Sequence, residues 1–122
     1  MGKAGRSGDP GQKLQSYIKE LMERFGIPLR ECAGSGNKFA SDSDLSNRYM
    51  QVEAKCNQTA DGLAMPRKAD WKKLCGEAKH TSRFPMLVSS GQVPGVGKDE
   101  NVLIVMKLQH LLSLLGIPKD DY

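Results

Sequence analysis

The sequence predicts an α/β protein of mixed α and β character, with short strands interleaved between amphipathic helices. Three observations carry that expectation. Apolar residues recur at helical spacing near the start, apolar and polar residues alternate strictly in the middle, and two short apolar runs toward the end are separated by a Gly- and Pro-rich stretch.

The first helix is the clearest element. Asp9-Pro10 supplies an N-cap followed by proline at the first helical position, and Leu14, Tyr17, Ile18, Leu21, Met22 and Phe25 then recur on one face until Gly26 stops it. Ile27 to Ala33 reads as a short strand leading into the loop Gly34-Ser35-Gly36-Asn37, and a second strand is expected near Phe39 to Leu45. Asn47-Arg48 makes a tight turn. Beyond it the chain alternates from Tyr49 to Cys56, with Tyr49, Gln51, Glu53 and Lys55 on one side and Met50, Val52, Ala54 and Cys56 on the other.

Pro66 is expected to open a second helix, in which Trp71, Leu74, Cys75 and Ala78 share a face. Phe84 to Ser89 reads as a buried strand, Gly91 to Glu100 as a loop, Val102 to Met106 as another strand, and Leu108 to Leu115 as a last helix ending at Gly116. The expected division is a flexible basic leader over residues 1–9 and a single domain over residues 10–122.

Composition narrows the function. With 122 residues and 39% apolar content, the chain can bury one core. No apolar run approaches the roughly 20 residues that span a bilayer, and the start lacks a signal-peptide stretch, so a soluble cytoplasmic protein without a membrane partner is expected. The net charge of +4 is a modest excess, but it concentrates in Lys3, Arg6 and Lys13 and again in Arg67, Lys68, Lys72, Lys73 and Lys79. Cys32, Cys56 and Cys75 form no CxxC pair, and His80 and His110 stand alone, which argues against a zinc site and an HNH-type nuclease and for buried free thiols. The stretch Gly91 to Gly97 lacks the Gly-Lys-Ser/Thr ending of a phosphate loop.

The chemistry sits on the alternating strand. Glu53 and Lys55, two residues apart, project from the same side, and Asp44 lies a hairpin's length upstream, within reach of the same spot. Two carboxylates with the adjacent backbone carbonyl of Ala54 are hard oxygen donors suited to Mg²⁺ or Mn²⁺. A metal there would lower the pKa of a bound water and neutralise charge on a phosphate, and a lysine beside it would orient that water. By itself Glu-x-Lys is more often a surface ion pair. Its surroundings change that reading.

The segments Gly34-Ser-Gly-Asn-Lys38, Ser43-Asp44-Leu, Val52-Glu-Ala-Lys55, Asp70-Trp-Lys-Lys-Leu and Arg83-Phe-Pro-Met-Leu-Val88 resemble the small Holliday-junction-resolvase-like branch of the PD-(D/E)XK nucleases, found in phages and archaea. The resemblance runs from about Leu14 to Leu115 and rests on the order and spacing of short motifs. It implies a central mixed β-sheet flanked by helices, a restriction-endonuclease-like nuclease core, and Mg²⁺-dependent cutting of DNA. It also implies that Asp44 is the first acidic metal ligand, Glu53 the second and Lys55 the catalytic lysine. A first-helix glutamate would contribute too, with Glu20 matching and Glu23 the alternative. Ser43 stands where the family name has proline, and Asp42 is a second candidate for the ligand at Asp44. The backbone N–H groups around Ser35 and Gly36, with Lys38 beside them, are candidate phosphate contacts, and so are Lys68, Lys72 and Lys73 of the second helix. Trp71 reads as core packing rather than a base-stacking platform.

The expected function is a structure-selective DNA endonuclease of DNA recombination acting on branched DNA, in a host cytoplasm if phage-encoded. Paired cuts in a junction imply a two-fold homodimer. A nicking, flap or restriction-like nuclease and a non-catalytic DNA-binding module of the same fold are the alternatives.

Overall fold

Asp9 starts the first helix, α1 (Pro10–Arg24), by accepting the Gly11 N–H at 3.4 Å, and Pro10 occupies the first turn. Leu14 and Ile18 are buried along one stripe, and Gly26, at φ +84°, turns the chain out of the helix. Phe25, which the periodicity assigned to that stripe, is instead 73% exposed, because the helix ends one residue earlier and leaves it at the cap. The structure, a computed structural model, describes residues 9–31, 44–95 and 100–121. Leader residues 1–8, Cys32, the Gly34–Asn37 loop with Ser35 and Gly36, Lys38 and Asp42 lie outside the described residues.

The strands are β1 (Arg30–Glu31), β2 (Leu45–Ser46), β3 (Met50–Cys56), β4 (Phe84–Ser90) and β5 (Leu103–Val105). They form one five-stranded sheet in the order β1-β2-β3-β4-β5. β3 and β4 run parallel, and the other neighbouring pairs are antiparallel. The parallel pair requires a crossover, and helix α2 (Lys68–Lys79) supplies it. A last helix, α3 (Leu108–Leu114), and a 3₁₀ turn (Lys119–Asp121) follow. This is an α+β fold with a mixed sheet and, among the described residues, three α-helices.

The turn between β2 and β3 is built by Asn47, whose side-chain oxygen accepts the N–H groups of Tyr49 and Met50 at 2.8 and 2.9 Å. Its amide also donates to the Pro28 carbonyl at 3.1 Å, tying the turn to the chain entering β1. α2 begins at Lys68 rather than at Pro66. Arg67 takes the cap position in an extended conformation, and a proline's fixed φ suits that extended lead-in as well as it suits a first turn.

Both faces of the sheet are covered. On one side, Leu14 and Ile18 of α1 pack with Leu29, Leu45, Met50, Val52, Ala54, Met86 and Val88. On the other, Leu74 and Ala78 of α2 are buried, as is Leu87, which alternates with Met86 and Val88 along β4. The face of β3 that reads as polar is therefore an inner face under α2. Gln51 is 0% exposed there, its side-chain oxygen accepting the Thr81 hydroxyl at 2.9 Å. Trp71, Cys75 and Cys56 are half-buried, so neither of these two thiols is fully enclosed. His110 stacks on Phe84 with ring centroids 5.1 Å apart, which gives it a packing role.

Candidate active site

Register positions the acidic pair. Leu45 lies opposite Val52 and Ser46 opposite Gln51, so one further step sets Asp44 across from Glu53 on the α2 side of the sheet. Asp44 is fixed there by the Ala54 N–H, which donates to its Oδ2 at 2.8 Å. Lys55, two residues beyond Glu53, brings its Nζ to 3.6 Å from Glu53 Oε2. The Glu53 side chain is 15% exposed and that of Lys55 40%. This is a carboxylate drawn into the protein with an ammonium at its mouth, not a solvated pair.

The electrostatics follow from that burial. Desolvation, then the charge of Asp44, pushes Glu53 up to about 7, with Glu77 adding to the rise and Lys55 and Lys73 opposing it. Desolvation also raises Asp44 above the ordinary carboxylate range, against the opposing Ala54 N–H, Lys55 and Lys73. Two carboxylates that resist sharing negative charge in a half-enclosed place are a site that a cation would relieve.

The third wall comes from α2. A small cleft is lined by Glu53, Lys55, Asp70, Lys73, Leu74 and Glu77. Asp70, Lys73 and Glu77 fall on one flank of the helix, beside the buried Leu74 and Ala78, at about 100° per residue. The sequence motifs give neither Asp70 nor Glu77 a role at the site. The signal was present as a polar stripe at i, i+3 and i+7 adjoining the apolar one.

Asp44, Glu53 and Lys55 thus come together, with Ala54 held against Asp44 through its N–H, and Lys73 joins them. Lys68 and Lys72 are exposed on α2 away from that flank. Glu20 and Glu23 are not brought to the pair. Glu20 is exposed and lines a separate hollow with Gln12, Lys13, Ser16 and Tyr17, and Glu23 pairs with Lys19 at 2.9 Å. The reason is topological, because α1 packs on the opposite face of the sheet from Glu53.

As to a metal, no group of three or more His, Cys, Asp or Glu side chains among the described residues is arranged to hold one. Asp44 and Glu53 are hard oxygen donors of the kind that suits a dication such as Mg²⁺, and the Ala54 contact with Asp44 is made by its N–H. Among the described residues no helix is long and apolar enough to cross a membrane. Compared with known protein families, curated proteins and solved structures, the chain gives no match.

Proposed function

We propose that this chain is a metal-dependent DNA endonuclease with a restriction-endonuclease-like core, hydrolysing phosphodiester bonds at Asp44, Glu53 and Lys55. The observation that carries the reading is the half-buried pair of carboxylates, Asp44 and Glu53, set side by side with Lys55 3.6 Å from Glu53, a cluster of the kind found at functional sites.

Asp44, Glu53 and the Ala54 carbonyl are the groups that would hold Mg²⁺ or Mn²⁺. Bound there, the ion would lower the pKa of a water and neutralise charge growing on the phosphate. The protein's own contribution is positional. The Ala54 N–H fixes the Asp44 carboxylate, α2 excludes water from one side of Glu53, and Lys55 presents N–H donors to the attacking water and to a phosphate oxygen.

Branched DNA is the proposed substrate, on the motif resemblance to junction resolvases. Two symmetric cuts need two sites, so the working form is a homodimer. The leucines of α3 and its C-terminal cap, with Leu108 69% and Leu115 66% exposed, offer an apolar surface for pairing.

Replacing Glu53 or Lys55 by Ala tests the assignment. Each variant should keep its circular dichroism spectrum and lose at least about 100-fold in cleavage rate of a labelled four-way junction. Wild-type rates in both variants would overturn it.

A further inference from the structure

Among the basic residues of α2, Lys73 differs from the rest in what it faces. Lys68 and Lys72 are exposed on the helix, whereas Lys73 lines the cleft with Glu53 and Lys55, flanked three residues before and four after by Asp70 and Glu77 on the same helix surface. Its place in the cleft lining sets it on the site's side of the helix, and its charge bears on both Asp44, just before β2, and Glu53 of β3. Lys55 stands on β3 with its Nζ 3.6 Å from Glu53 Oε2. Lys73 approaches from the opposite wall, on an element that does not carry the acidic pair.

We propose that Lys73 is a second cation of the reaction centre, contributed by α2, that binds the scissile phosphate, while Lys68 and Lys72 contact flanking backbone. The inference rests on the nuclease reading above. A phosphate resting at the mouth of this narrow cleft would then meet an ammonium from each rim, Lys55 from β3 and Lys73 from the helix. Such a pair offsets the charge that builds on the non-bridging oxygens, a stabilisation felt at the reacting phosphate and not along the rest of the DNA. A resident cation near two carboxylates also has an effect independent of cutting. It opposes a dication at the same place, so its removal should strengthen metal binding.

The test follows both effects in the full chain. Mn²⁺ is titrated by calorimetry at low salt into wild type, Lys73→Ala, Lys73→Arg and Lys72→Ala, and cleavage of a four-way junction is measured at saturating protein for wild type and the two Lys73 variants. Lys73→Ala should bind Mn²⁺ about fivefold more tightly and cut at least about 30-fold more slowly. Lys73→Arg should bind Mn²⁺ as wild type does and recover part of the cutting, and Lys72→Ala should leave Mn²⁺ affinity unchanged. Lys73 is exposed, so its replacement removes no core packing. Unchanged Mn²⁺ affinity and unchanged cutting in Lys73→Ala, with an active wild type, would overturn this inference alone. A wild type that cuts no DNA would overturn the nuclease reading and the phosphate role with it.

Discussion

Deprotonating Glu53 inside its cleft costs free energy, and that cost sets how the fold responds to pH. Its folded pKa of about 7 lies above the ordinary value of 4.5. Below the ordinary value both folded and unfolded states hold the proton, so the contribution to stability is complete. Between the two values the unfolded chain has lost the proton while the folded chain keeps it, and stability falls as pH rises until Glu53 ionises. Asp44, also raised, acts in the same direction. The metal-free protein should therefore lose on the order of 2–3 kcal/mol between pH 5 and pH 8, measured by urea unfolding in EDTA. Glu53→Gln should flatten that profile and exceed the wild type in stability at pH 8 while abolishing cleavage. A variant no more stable than wild type at pH 8 would show that Glu53 is not strained by its surroundings.

At the level of elements, the legible parts are those fixed by local pattern. Asp9-Pro10 and the repeat from Leu14 to Met22 give α1 because cap, proline and period agree. The alternation from Met50 to Cys56 gives β3 and puts Glu53 and Lys55 on one side. What the pattern does not carry is the cover over that side. Gln51, Glu53 and Lys55 read as a solvated face, and only the crossover of α2 between parallel strands covers Gln51 and most of Glu53, leaving Lys55 at the rim. β1 and β2, two residues each, are too short for a periodic signal, and Asn47 and the pairing with β3 define them instead. The contribution of Asp70 and Glu77 is likewise tertiary. The segment joining β3 to α2 is held where Gly91 meets it. The Gly91 N–H donates to the Gly62 carbonyl at 3.0 Å, and its own carbonyl accepts the Thr59 N–H at 2.9 Å. A Cβ at Gly91 would fall 2.5 Å from the Gly62 carbonyl carbon, so Gly91→Ala should destabilise the fold by about 1–3 kcal/mol, read as a lower urea midpoint. An unshifted midpoint would mean that this junction yields freely.

For the whole molecule, the exposed leucines of α3 and the basic α2 are the two surfaces whose behaviour in solution the proposed function predicts. At micromolar concentration the chain should sediment as two copies, and Leu111→Asp or Leu115→Asp should shift it to a single copy with loss of paired cuts. A wild-type monomer, with and without junction DNA, would remove the paired-cut role. Metal-dependent cleavage of branched DNA is tested most directly with wild-type protein on a labelled four-way junction beside the matching linear duplex, each with Mg²⁺ and with EDTA. Paired cuts confined to the junction, present with Mg²⁺ and absent with EDTA, are the predicted result. No cutting of either substrate with Mg²⁺ or Mn²⁺ would contradict it.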